Sequence, residues 1–301
     1  MTTRHITILG LLLAHFWPQF ASAAPYGSGW YRELQFAVGY EDNLSRASQS
    51  DDKRGDSQAS ASLGIGYADK VGDRFDYVVA AYLTYAHQQD NEALTSLASA
   101  IGANLIWQPV NRYSAPWYVL DVNITRLDYK DSDAREGYLA NARLGIHRRI
   151  GANVVGRIGY GYNDLVFDKS DVDANRDAAF DVARHEIFVG ADWHLGGRVY
   201  LVGEYSFQHG GFTGSASGNL PAGIKYDAET IDPAFESCSA LICTPFYAYR
   251  SVTDLHIVDL GVAFSLSGLD YDLGGRYLEG KSENGATYSD WLVQLGVIWN
   301  F

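Results

Sequence analysis

The feature that most constrains this chain is a two-residue alternation of apolar and polar side chains that recurs in twelve segments from residue 31 onward. The last of them, SDWLVQLGVIWNF, puts Trp291, Val293, Leu295, Val297, Trp299 and Phe301 on one face. Successive side chains of a strand point to opposite faces, so a period of two describes a strand with one apolar side. The first segment aligns Leu34, Phe36, Val38 and Tyr40 in this way, and the tenth aligns Val258, Leu260, Val262 and Phe264. Each segment has about the 9–11 residues, or slightly more, that a tilted strand needs to cross a lipid bilayer.

The connections alternate as strictly as the side chains. Residues 43–57, 90–95, 128–136, 168–181, 211–251 and 283–288 are polar and mostly longer. Short links lie between them, near 70–74, 109–115, 150–152, 196–197 and 267–269, with Gly196–Gly197 reading as a two-residue hairpin turn. Pro109, Pro116, Pro221, Pro233 and Pro245 fall in these links or at strand margins, where no ladder hydrogen bond is lost. Aromatic residues gather at strand ends, among them Tyr40, Tyr67, Trp107, Trp193 and Trp299. An even number of amphipathic strands, with long loops at one end and tight turns at the other, predicts an all-β fold. It is a single transmembrane antiparallel β-barrel of about twelve strands in an up-and-down meander.

Residues 1–23 read as a signal peptide: Arg4 and His5, an apolar run from Ile6 to Phe16, and small residues at Ala21 and Ala23. Residues 24–301 are then the barrel, carrying a long extracellular loop at 211–251. No stretch of eighteen apolar residues suggests a membrane-spanning helix. A net charge of -13 without a basic block argues against nucleic acid as a partner. Cys238 and Cys243, the only cysteines, predict a local disulfide.

The apolar strands, the leader and the terminal VIWNF resemble Gram-negative outer-membrane β-barrel proteins along the whole mature chain. In that class a final strand ending in phenylalanine is read by the barrel-assembly machinery, and Trp299 and Phe301 match that signal. The resemblance implies a place in the bacterial outer membrane. It further implies contact with membrane lipid and lipopolysaccharide, and a periplasmic export or uptake partner. GYEDNLSRA at 39–47 is similar to the first hairpin of several exopolysaccharide- and secretion-associated barrels.

If the apolar faces meet lipid, the opposite faces line a lumen. They carry Asp121, Arg143, Arg157, Arg184, Glu186, Asp192, Glu204, Asp259, Asp272 and Arg276, with Glu33, His147 and Arg198 among the others. Two readings follow: a salt-bridged interior that fills a narrow barrel, or a hydrated pore whose charges select a polar or charged solute. The leading expectation is a non-enzymatic channel for such a solute or for a segment of exported polymer, restricted by the 211–251 loop. The alternatives are a structural or assembly component of a secretion or surface-polymer complex and, third, an outer-membrane lipid hydrolase. For the hydrolase, His209 lies near Ser215 and Ser217 but outside any compact nucleophile motif. Asp171, Asp173, Asn175 and Asp177 depart from a calcium loop at Arg176 and Val182. No cofactor or metal is expected. Deleting Phe301 should cut severalfold the folded barrel recovered from outer membranes, scored by its heat-dependent shift on gels; an undiminished yield would show that the terminal strand carries no assembly signal.

Overall fold

The computed structural model describes residues 28–167, 179–217, 228–239, 242–283 and 285–301. The expected signal peptide at 1–23 and the DKSDVDANRD acidic run lie outside the described residues. Strands β1 (Gly29–Glu41), β2 (Asp56–Val71), β3 (Phe75–Gln88), β4 (Ser96–Trp107), β5 (Trp117–Tyr129) and β6 (Gly137–Arg149) run up and down in order. They are followed by β7 (Val154–Phe167), β8 (Val182–Gly196), β9 (Val199–Ser217), β10 (Ala228–Ser239), β11 (Ile242–Leu266), β12 (Leu269–Ser282) and β13 (Thr287–Asn300). All pairings are antiparallel. β9 pairs with β11, and β13 returns to β1, so twelve strands close a barrel that leaves β10 outside the count. The closing seam runs from Glu33 opposite Asn300 to Glu41 opposite Leu292, and Arg32 and Phe301 exchange backbone hydrogen bonds of 3.2 and 3.0 Å beyond it.

Burial is inverted relative to a water-soluble protein. Ile101, Leu144, Ile158 and Leu260 on the outer wall are each more than half exposed, whereas the inward Glu33, Arg143, Arg157 and Glu204 are only 1–5% exposed. An apolar outer wall of this extent has no stable place in water and matches a lipid surface. Aromatic pairs mark both edges of that wall. Trp107 stacks on Tyr118 at the end with the short turns, and Tyr277 packs on Trp291 at the end with the long connections. These two ends are called the turn end and the loop end below.

The structure corrects the sequence reading at two places. The segment 211–251 is not one loop. β9 continues to Ser217 and β11 begins at Ile242, and these extensions pair with each other from Phe212 opposite Ser251 to Ser217 opposite Phe246. β10 pairs with the other edge of β11, from Ala228 opposite Arg250 to Ser239 opposite Ile242, so the segment is a three-stranded ribbon. Arg198 is the second correction. The ladder shifts between His194 and Gly196, the tight turn falls at residues 197–198 instead of 196–197, and Arg198 is left exposed at the turn end instead of in the lumen. Within the ribbon, Cys238 and Cys243 are direct cross-strand partners, a backbone placement compatible with the expected disulfide.

Replacing Ile101, at mid-wall, with arginine should destabilise the barrel by about 2–4 kcal/mol in lipid vesicles, the cost of a charge at the bilayer midplane. Reversible unfolding from vesicles measures it; a change near zero would place this wall outside hydrocarbon.

Candidate functional site: a charged lumen beneath a closed mouth

The lumen is built from the polar halves of the alternating strands. Arg143 on β6, Arg157 on β7, Glu186 and Asp192 on β8 and Glu204 on β9 form one buried network. Arg143 donates from Nη2 to Glu186 Oε1 at 3.2 Å and to Glu204 Oε1 at 2.7 Å. Arg157 donates from Nε to Glu204 Oε2 at 2.7 Å, and its Nη1 bonds Asp192. Glu204 therefore joins both arginines through its two oxygens. The Arg143 guanidinium also lies 3.9 Å from the centre of the Phe188 ring, a cation–π contact on the inner wall.

Glycine makes this network possible. In the register, Gly161 stands between Arg143 and Glu186, and Gly190 stands between Arg157 and Glu204. A Cβ on Gly161 would lie 3.1 Å from Arg143 Cγ and 2.7 Å from Glu186 Oε2; one on Gly190 would lie 2.9 Å from Arg157 Nε. Each arginine thus crosses a bare strand to reach an acid two strands away.

The other residues expected in the lumen are distributed around this centre. Arg276 makes a two-pronged contact with Asp259, its direct partner across β11–β12, at 2.8 and 3.0 Å. Asp121 accepts a hydrogen bond from Asn104, and Asn141 bonds Asn163. Asp272 Oδ1 and Arg184 Nε and Nη1 are buried without a hydrogen-bond partner among the described residues. The asparagines Asn104, Asn123, Asn141 and Asn163, all inward, were not singled out by the sequence. Their only signal was inward parity on strands otherwise read for charge.

The loop end is filled. The two faces of the β9–β11 ribbon belong to different apolar clusters. Phe246 and Ala248 pack with Leu94, Leu127, Leu139, Leu165 and Val182, from the β4–β8 side of the barrel. Phe212, Ala216 and Tyr249 pack with Leu278, Ala286 and Tyr288, from the β12–β13 side. A ribbon buried on both faces between opposite inner walls runs across the mouth. β10 joins it: Ala234 and Phe235 enter the first cluster, and the buried Asp232 pairs with Arg135 of the β5–β6 connection at 2.6 Å. Arg135 lies over the rings of Phe180 and Phe235, and Ser215 also bonds Asp232.

The GYEDNLSRA stretch takes part in the same closure. Asn43 is fully buried and donates from Nδ2 to the carbonyls of Ala47 and Ser289, at 3.0 and 2.9 Å. Leu44 joins the first apolar cluster, and the carbonyl of Ser45 accepts the Ser215 N–H at 2.8 Å. Arg46, at φ 52°, is buried beneath the ribbon. Burial lowers its pKa, against the opposing pull of Glu41 and Asp290.

Substituting Glu204→Gln should remove about 3 kcal/mol or more of unfolding free energy, because two buried guanidinium groups lose their shared counter-charge. Denaturant unfolding in detergent tests this; a loss within the range of a surface substitution would mean that water, not Glu204, balances those arginines.

No family model matches this chain, and no curated protein does at a significant level. Solved structures do. The COG4313 outer membrane channel from Pseudomonas putida F1 aligns over 93% of this chain and 97% of its own, with 9% identity and a TM-score of 0.59. The outer membrane channel DcaP of Acinetobacter baumannii aligns over 91% and 98% with 10% identity and a TM-score of 0.42. The β domain of the Bordetella autotransporter BrkA aligns over 90% and 99% with 11% identity and a TM-score of 0.45. Its closed antiparallel barrel, apolar outer wall and aromatic edges give this chain the fold of an outer-membrane β-barrel.

Proposed function

We propose that the protein is an outer-membrane channel for a small polar or charged solute, with the ribbon as its closed gate. The observation that carries this reading is the juxtaposition of a charged lumen with a mouth closed by a separate strand ribbon. A barrel needing only to be filled could be filled by apolar side chains, and buried ion pairs are seldom the most stable filling. Charges along a lumen suit a path for a charged or polar solute. The ribbon is held to the rim by Arg135 to Asp232, the Ser215 N–H to Ser45, Thr213 to the Ala179 carbonyl, Ser217 to Asp52 and Arg250 to the Asp181 carbonyl. The similarity to the Pseudomonas putida outer membrane channel supports the reading at the level of fold. By the usual plan of such barrels the loop end faces the cell exterior. There the outward row His185, His209, Asp254 and Lys281 would meet lipid headgroups. An exported polymer segment is the other cargo of this reading.

One observation favours a second reading. The buried network and the filled mouth are also what a non-conducting structural or assembly barrel would contain. A lipid hydrolase has less support, since His209 pairs with Asp254 at 2.8 Å on the outer wall and no serine hydroxyl bonds it among the described residues. Replacing residues 213–250 by two glycines would join Phe212 to Ser251, which are cross-strand partners, through a short hairpin. This variant should conduct ions in planar bilayers where the intact barrel is mostly closed, and Asp232→Asn should raise the open probability in the same direction. A folded ribbon-deleted barrel that never conducts would overturn the channel reading in favour of the structural one.

A further inference from the structure

The register repeats one arrangement three times, each displaced by one strand, and the third copy lacks a member. Arg143, Gly161 and Glu186 form the first rung, and Arg157, Gly190 and Glu204 the second. The third is Arg184, Gly210 and Thr253. Gly210 again leaves the middle of the rung bare, here where the backbone itself is close: at φ +147° a Cβ would lie 2.2 Å from the Ala183 carbonyl oxygen, 2.9 Å from Arg184 Cα and 3.0 Å from Arg184 Cγ. At the far end of this rung, where the others carry a glutamate, stands the hydroxyl of Thr253. It is fully buried and lies 3.2 Å from the Ser251 hydroxyl.

Arg184 is 5% exposed, makes no ion pair among the described residues, and has two buried guanidinium nitrogens without partners. The carboxylate on its own strand, Glu186, is bonded to Arg143. A second guanidinium, that of Arg46, lies beneath the ribbon 5.7 Å from the centre of the Phe212 ring, where Glu41 and Asp290 act on it. The fold thus buries a guanidinium fork and omits from its rung the acid that the same pattern supplies elsewhere. Buried charge is ordinarily paired.

We propose that Arg184 receives an oxyanion, the carboxylate or phosphate group of a small solute, which takes the place held by Glu186 and Glu204 on the other two rungs. A guanidinium offers such a group two parallel N–H donors. Solute would arrive through the lumen, so the route rests on the channel reading. The site itself can be tested whether or not the barrel conducts.

The full chain is unfolded in denaturant and refolded into detergent with gluconate, inorganic phosphate or chloride at matched ionic strength, so that access through the closed mouth is not required. Thermal unfolding is then followed as anion concentration is raised. The midpoint should rise with one or both oxyanions and continue to climb with the logarithm of concentration once the site is filled, as linkage requires. A rise with gluconate alone assigns a carboxylate, and one with phosphate alone a phosphate. Arg184→Gln should abolish the rise. Thr253→Glu should abolish it for a different reason, supplying the missing carboxylate, and should unfold in chloride no earlier than the unmodified protein. Equal midpoints of the unmodified protein in all three salts would overturn the proposal. So would an undiminished rise in Arg184→Gln or Thr253→Glu.

Discussion

Hydrocarbon offers no hydrogen bonds, and the rest of this structure follows from that constraint. Each backbone N–H and C=O in the membrane must be paired within the protein, so strands can cross only as a closed cylinder. The β1–β13 seam and the β9–β11 pairing achieve that closure. Closure then fixes the distribution of side chains. Alternate positions must be apolar where they meet lipid, and the remaining positions are the only places left for charge. The exposed Ile101 and Leu260 and the buried Arg157 and Glu204 are two sides of one requirement.

Inside the barrel the same constraint becomes one of charge balance. Arginines placed on an inner wall need counter-charges within reach, and neighbouring strands are too close for two long side chains to lie side by side without room. The glycines at 161 and 190 give that room and let each arginine reach across a strand. The result is a rigid belt in which Glu204 couples β6, β7 and β9 through two guanidinium groups. A solute moving along this path would exchange ion pairs with the wall, which suits selection by charge better than rapid unselective flow.

Much of the architecture was legible in the sequence because a period of two is a local signal. The strand faces, the alternation of long and short connections and the inward parity of the charged residues all came from it. What escaped depends on register or on unusual burial. The rungs join residues such as Arg157, Gly190 and Glu204, which lie far apart in the chain and meet only once the pairing is known. The ribbon was hidden for a different reason. GFTGSAS is buried on both faces between opposite walls, so its small residues alternate weakly and resemble a loop. Arg198 was misplaced because one irregular step after His194 moved the turn by a residue. His209, close in sequence to Ser215 and Ser217, is an outer-wall partner of Asp254.

A closed mouth requires the ribbon to cross inside the rim instead of standing free above it. Thiol labelling in intact cells tests this directly, using a chain in which Cys238 and Cys243 are replaced by serine. Ala248→Cys places a thiol where the ribbon is 0% exposed, and Ile231→Cys places one where β10 is 57% exposed. With a membrane-impermeant maleimide, the first should label far more slowly than the second. Equally rapid labelling at both positions would mean that the mouth is open and the ribbon does not close it.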